Sequence, residues 1–249
     1  MSVKFEFNNI DEKEIIDVIE KVDLDDEEND GEELDTNKES MAMFSPKREI
    51  DAEEDDYHDY CEPYMLFNLS QQNLNVLTNL VYSIKEEEWT EERYDWHDNN
   101  GNNYEDYRYV DIIGLCEDED DDVYELVKNL FEHVNDDNFY YDLDEDMIDI
   151  QILRYKEGGQ YNWHADYGIS RNAQKGMTRK LSMSIQLSDE SAYEGGELEW
   201  IDYSARHVKL AKHIGAGVVF DSRLPHKANP LKSGERFALI AWASGPQLR

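Results

Sequence analysis

The sequence predicts a mainly β protein, a sandwich or barrel, with supporting helices. Two observations carry this. From Met147 onward the apolar period is two, and short strand-like runs follow one another at sandwich spacing. Ahead of that region, two runs repeat at the helical period instead.

Residues 1–62 read as an acidic, largely disordered extension. Residues 23–60 are dominated by Asp and Glu with few apolar anchors, and such a segment cannot bury enough surface to offset its ordering entropy. Ile10, Ile15, Ile16, Ile19 and Val22 suit one side of a short helix over 10–22. Order is expected from about Tyr64, so 63–249 is the folded domain and 147–249 its core. Leu74, Leu77, Val81 and Ile84 recur at helical spacing, with Ser70 placed as a cap. The Asn- and Asp-rich run 95–106 reads as a loop and 109–115 as a strand. Val123, Leu126, Val127, Leu130, Phe131 and Val134 form the strongest helical stripe, and Asp120 to Asp122 suit the positive end of its dipole. Ile148–Tyr155, Gly217–Phe220 and Phe237–Trp242 read as strands. Leu181, Met183, Ile185 and Leu187 alternate with Ser182, Ser184 and Gln186, so the two sets lie on opposite faces of one strand. Val208 and Leu210 mark another short run.

The net charge of −35 is unevenly spread. Residues 147–249 hold 11 acidic and 14 basic residues, while 1–146 hold 48 and 10. The mildly basic half suits an anionic co-substrate. The acidic half disfavours nucleic acid and anionic membranes, because phosphate binding needs clustered Lys and Arg. Solubility is the plain reading of the acid; a halophilic role or a basic partner are the alternatives. Cys61 and Cys116 form no Cys-x-x-Cys pair, which suggests a reducing compartment. Met1 to Ile10 lacks a basic head and apolar run, and no stretch approaches the roughly 18 apolar residues of a membrane span. A cytoplasmic location is expected.

The chemistry concentrates between Tyr155 and Arg236. The order is Tyr155, Gly158, Tyr161, His164, Asp166, then Gly195-Gly196-Glu197-Leu198, then His226, then Arg236. His164 and Asp166, two apart at a strand end, share a face and can bind one metal together. With 7 His and 59 acidic residues a His-x-acid pair alone decides nothing; order and context do. Two imidazoles and a carboxylate can hold one face of a ferrous ion and leave the other open, although the same set accepts Zn, Mn, Co or Ni. Arg236 is placed to grip a dicarboxylate co-substrate. His58, His97, His133, His207 and His213 lack such context and read as surface or hydrogen-bonded residues. Gly195-Gly196 reads as a tight turn.

The run Arg179 to Asp189, followed by Tyr193-Glu194-Gly195-Gly196-Glu197-Leu198, resembles the core of the Fe(II)/2-oxoglutarate-dependent oxygenases, on the prolyl 4-hydroxylase-like side that includes PKHD-type hydroxylases. The resemblance is strong over 147–249, loose over 64–146 and absent before. It implies a double-stranded β-helix, a cupin-like jelly-roll. It implies iron ligands His164, Asp166 and His226, and Arg236 on the distal carboxylate of 2-oxoglutarate. Tyr155 matches a tyrosine that reaches the co-substrate, while Ser182, Ser184 or Gln186 would bond it. Tyr161 is a further candidate for the co-substrate contact, and Trp163 and Trp242 are candidate pocket residues or core. Loops 90–106 and 168–178 would face substrate.

The implied reaction consumes O2 and 2-oxoglutarate, with L-ascorbate as a possible helper, and hydroxylates an amino-acid side chain. A prolyl residue of a peptide or protein leads, ahead of a free amino acid or small metabolite. A nucleic-acid demethylase of the same superfamily would carry a second arginine where Trp242 stands. A non-catalytic jelly-roll that retains the metal site is the alternative of another class; the complete ligand set weighs against it.

Overall fold

A computed structural model describes residues 43–44, 61–97, 101–144, 147–167 and 176–247. The expected helix over 10–22 and most of the 168–178 loop lie outside these residues.

The elements in chain order are β1 (Met43–Phe44), β2 (Tyr64–Asn68), α1 (Gln71–Ser83), β3 (Thr90–His97), β4 (Asn103–Gly114), α2 (Asp121–Val134), β5 (Ile148–Tyr155), β6 (Gln160–His164), β7 (Met177–Gln186), β8 (Tyr193–Gly195), β9 (Leu198–Ile201), β10 (His207–Lys209), β11 (Ala216–Asp221), β12 (His226–Ala228), β13 (Leu231–Gly234) and β14 (Arg236–Pro246). The main sheet is antiparallel and runs β1-β2-β11-β7-β14-β5-β4-β6-β12-β9-β10, with β3 added to β4 and a separate β13-β8 ribbon. β4 serves both halves. Asp111 to Gly114 pair with β5, and Arg108 and Tyr109 pair with β6. There the sheet curls from its larger half onto its smaller half, giving the double-stranded β-helix expected from the sequence.

The alternation in β7 decides what each face does. Leu181, Met183 and Ile185 join one apolar cluster with Leu74, Leu77 and Val81 of α1 and with the stripe of α2. Removing these side chains from water drives the helices onto the sheet. Ser70 caps α1, its hydroxyl accepting the Asn73 N–H at 3.2 Å. Asp121 and Asp122 occupy the first turn of α2, where the dipole favours negative charge. Among the described residues no helix is long and apolar enough to cross a membrane. Cys61 and Cys116 are exposed and unbonded.

One expectation fails. The polar run 95–106 is not simply a loop, because His97 ends β3 and Asn103 begins β4. Cross-strand pairs hold this hairpin where composition argued against it. Trp96 packs on Tyr104 at 5.3 Å between ring centroids, and Arg93 reaches both Asp106 oxygens at 2.5 and 2.8 Å. A register shift between Tyr94 and Trp96 breaks the alternation that would have marked β3 as a strand.

Leu77 is fully buried between helix and sheet. Leu77→Ala should cost about 2–5 kcal/mol in urea unfolding. Tyr82→Ala, at a side chain 84% exposed one turn on, should stay within about 0.5 kcal/mol.

Candidate metal and co-substrate site

The curl places β6 and β12 side by side, with His226 opposite His164 in the register. Asp166 lies two residues beyond the end of β6. The donor atoms of His164, Asp166 and His226 all fall within 4.8 Å of one another. The His226 Nε2 is 3.4 Å from Asp166 Oδ2, and the His164 Nε2 is 3.8 Å from Asp166 Oδ1. Each imidazole turns its other nitrogen to the backbone. His164 Nδ1 is 2.7 Å from the Asn162 carbonyl, and His226 Nδ1 is 3.0 Å from that of Leu224. Both carbonyls accept, so both Nδ1 atoms carry the proton and both Nε2 lone pairs face the cluster. That is how metal-ligating imidazoles are commonly oriented. Two imidazoles and a carboxylate at this spacing fit a divalent ion such as Fe(II).

Asp166 is held from several directions. Its Oδ2 accepts from Ser182 Oγ of β7 at 2.8 Å and from Trp242 Nε1 of β14 at 2.7 Å. Its own N–H donates to the Ser222 carbonyl at 2.9 Å. Arg179 stacks over the Trp242 ring at 3.7 Å and approaches Asp166 Oδ1 to 3.9 Å. Burial would push the carboxyl up, but the two imidazoles, the Trp242 N–H and Arg179 outweigh it and hold it below its usual range. Burial first, then the neighbouring His226, lowers His164 from 6.5 to about 3.

Ser222 in turn hangs on Asp221, the last residue of β11. The buried Asp221 carboxylate accepts from the Arg223 N–H and side chain, from Tyr141 Oη at 2.7 Å and from Tyr203 Oη at 2.8 Å. This fixes the turn that supplies the Ser222 and Leu224 carbonyls to Asp166 and His226.

Arg236, only 2% exposed, lines the same cavity. Its Nε donates to Gln186 Oε1 at 3.0 Å, and the guanidinium lies 5.3 Å from the centre of the Tyr155 ring. Arg236 forms no ion pair with a carboxylate among the described residues. A buried charge is costly unless paired, so the geometry suits an anionic ligand. Gln186 Nε2 is also buried without a partner among the described residues. Burial pushes the Tyr155 phenol up, against the pull of Arg236, so it remains a hydrogen-bond donor. Gly196, at φ +67°, lets the chain close on this arginine: a Cβ there would stand 3.2 Å from Arg236 Cδ and 2.8 Å from Leu231 Cδ1.

The cavity brings together His164, Asp166, His226, Arg236, Tyr155 and Ser184, with Tyr161, Ser182 and Trp242. Gln186 stands behind Arg236. Ser182 and Trp242 spend their donors on Asp166. Trp163 is not in the lining; Lys227 Nζ lies 4.7 Å over its ring and His207 abuts it. The supporting roles of Ser222, Asp221 and Tyr141 carried no sequence signal, because only folding brings them to the ligands. His207 pairs with Glu199, and His213 with Asn68.

Asp221→Asn should weaken Mn(II) binding, read by electron paramagnetic resonance, about 10-fold or more while the protein stays folded. An unchanged affinity would show that the turn does not depend on this carboxylate. The His164 shift sets a second expectation. The unfolded chain takes up a proton below about pH 6.5, which the fold refuses until about pH 3. Stability of the metal-free protein should therefore fall as pH drops through that window. Urea unfolding at pH 7.5 and 5.0 checks this, and the fall should shrink in His164→Gln.

Residues 150–244 match the 2OG-Fe(II) oxygenase superfamily. Over 91 residues the chain is 35% identical to a PKHD-type hydroxylase of Pseudomonas putida, covering 35% of this chain and 39% of that one. Over another 91-residue match it is 40% identical to a PKHD-type hydroxylase of Shewanella oneidensis, covering 36% and 39%. These matches span well under half the length of either relative. In fold, the chain resembles a Pseudomonas putida prolyl-4-hydroxylase, with TM-score 0.57 at 17% identity over 75% of this chain and 94% of that one. It also resembles a Trichoplax adhaerens prolyl hydroxylase in complex with a hypoxia inducible factor oxygen degradation domain peptide fragment, with TM-score 0.54 at 16% identity over 73% and 83%. Residues 150–244 are thus identified as a 2OG-Fe(II) oxygenase domain, similar in sequence to part of the PKHD-type hydroxylases.

Proposed function

We propose that the protein is an Fe(II)- and 2-oxoglutarate-dependent dioxygenase that hydroxylates an amino-acid side chain, prolyl in a peptide or protein, and releases succinate and CO2. The observation that carries this reading is a buried arginine, without a carboxylate partner among the described residues, lining one cavity with a three-ligand cluster. The names of the relatives and the peptide bound by the Trichoplax adhaerens neighbour support the substrate class.

His164 and His226 would hold the metal through Nε2 and Asp166 through its carboxylate. When bound, iron and 2-oxoglutarate supply the oxidation of a C–H bond by O2, a chemistry that belongs to the cofactors. The residues bind, orient and exclude water. Arg236 takes the distal carboxylate of 2-oxoglutarate, where a guanidinium fork adds geometry to charge. Tyr155 donates its hydroxyl proton alongside, and Gln186 fixes the guanidinium. Ser182 and Trp242 keep Asp166 ionised and aimed, so one carboxylate oxygen remains for the metal. Leu153, Leu198, Phe220 and Ile240 complete a largely apolar wall that limits water. Ascorbate is expected to sustain turnover by keeping the iron ferrous.

Succinate production with Fe(II), ascorbate and 2-oxoglutarate, with and without a proline-containing peptide pool, tests the reading. Wild type should exceed a His226→Ala control, and the pool should stimulate it. Asp166→Ala should lose at least about 100-fold, and Arg236→Gln should raise the Kd for 2-oxoglutarate at least about 30-fold. Unchanged 2-oxoglutarate affinity in the arginine variant would remove its role.

A further inference from the structure

Aromatic rings run from the metal-ligand cluster to the protein surface. Tyr161 stacks on His164 with 3.4 Å between ring centroids, and Tyr107 lies 6.0 Å from Tyr161. Tyr107 is 5.6 Å from Trp96 and 6.1 Å from Tyr94, and Trp96 is 5.3 Å from Tyr104. The Tyr161 phenol also hydrogen-bonds the Tyr94 side chain. Tyr94, Trp96 and Tyr104 reach solvent, at 43%, 46% and 38% exposed.

The kind of ring matters, because packing alone does not require it. Phenylalanine packs as well as tyrosine in such pairs. Yet every ring of the run beyond His164 is tyrosine or tryptophan, the aromatic side chains that give up an electron most readily. The other approaches to the cluster differ. The ring against His226 is Phe220, at 4.8 Å, which resists oxidation. Trp242 bonds Asp166 but is buried, with the Arg179 cation 3.7 Å over its ring, and that charge opposes a positive one on the indole. Arg108 lies 4.6 Å over Tyr161, but Glu92 pairs it at 3.0 Å. A phenol that loses its proton with its electron also gains no net charge. Tyr94, bonded to Tyr161 and exposed, gives that proton a way out.

We propose that Tyr161, Tyr94 and Tyr107 form an electron relay that joins the metal site to Trp96 and Tyr104 at the surface. The relay serves an event the hydroxylase must survive, and it rests on the dioxygenase reading for the source of the oxidant. O2 and 2-oxoglutarate consumed with no substrate C–H bond in place leave an oxygen-derived oxidant at the site, two electrons above Fe(II). Each of two transfers takes one electron from Tyr161, and its phenol proton leaves with it. The neutral radical is refilled through Tyr94 or Tyr107, and these are refilled by a one-electron reductant at the surface rings. Two electrons and two protons turn the bound oxygen atom into water and restore Fe(II), while two equivalents of the external reductant are oxidised. Competing oxidation of the cavity wall is thereby avoided.

The test maps radicals rather than product. Fe(II)-loaded protein is given 2-oxoglutarate and O2 without a peptide, with catalase, superoxide dismutase and a nitrone spin trap present, and the adducts are located by peptide mass spectrometry. A parallel sample receives hydrogen peroxide in place of catalase, O2 and 2-oxoglutarate, which supplies the same oxidation level without the co-substrate. Zn(II)-loaded protein, which has no redox chemistry, is the blank. Adducts should fall on Trp96 and Tyr104 in preference to Tyr82 and Tyr140, which are more exposed at 84% and 64% but stand outside the run. Tyr94→Phe/Tyr107→Phe keeps both rings and removes both oxidisable links. It should lose the Trp96 and Tyr104 adducts to the level of the blank, with Mn(II) affinity unchanged. Ferrocytochrome c, a reductant too large for the cavity, should be oxidised during peptide-free turnover by wild type and not by this variant. Adducts that follow exposure, adducts that persist in the variant, or none in either sample would overturn the relay. Relay adducts with peroxide, without succinate from 2-oxoglutarate, would support the relay and remove the dioxygenase reading. Succinate production with no ring adducts would do the reverse.

Discussion

The arrangement depends on keeping one carboxylate ionised out of water. Asp166 is 5% exposed, and a carboxylate so placed would take up a proton unless donors and nearby positive charge outweighed the loss of hydration. The fold supplies the donors from two strands distant in sequence, and a turn after a third holds the backbone. Ser182 comes from β7, Trp242 from β14, and the Ser222 carbonyl from the turn after β11 anchors the Asp166 backbone. Because those strands are neighbours in the sheet order, the packing that seats α1 and α2 on β7 and β14 also sets the position of Asp166. Core and site are thus one mechanical unit, joined across the alternating faces of β7.

The second buried charge has the opposite character. Asp166 is surrounded by donors, whereas Arg236 meets neutral partners, Gln186 and the Tyr155 ring, and no carboxylate among the described residues. An arginine left this way costs stability without a ligand and returns it when an anion binds. The metal cluster and the arginine line one cavity, so a ligand with a metal-binding end and a distal carboxylate satisfies both. A monoanion would satisfy only one.

Much of this was legible because it follows from local period and spacing. The alternation at Leu181 to Leu187 marks a strand with a polar inner face, and the six apolar positions from Val123 to Val134 mark a helix. His164, Asp166, His226 and Arg236 stand out through their order and strand context. What stayed hidden depends on pairing across the sequence. The hairpin of β3 and β4 is polar and half-solvated, its alternation is interrupted between Tyr94 and Trp96, and only the cross-strand contacts of its aromatics make it a strand pair. Asp221 and Ser222 look like an ordinary strand end. Their part appears once Tyr141, Tyr203 and Arg223 converge on the Asp221 carboxylate and the Ser222 carbonyl reaches Asp166. Trp242, equally a pocket or core residue by sequence, is fixed in its role by the position of its indole N–H.

The most direct measurement is anaerobic isothermal titration of Fe(II)-loaded protein with 2-oxoglutarate and with 2-oxopentanoate, which keeps the metal-binding 2-oxo acid and lacks only the distal carboxylate. The account predicts tight binding of the first and at least about 30-fold weaker binding of the second, a difference that disappears in Arg236→Gln. Equal affinity for the two acids in the wild-type protein would contradict it, because the buried arginine would then have no part in holding the co-substrate.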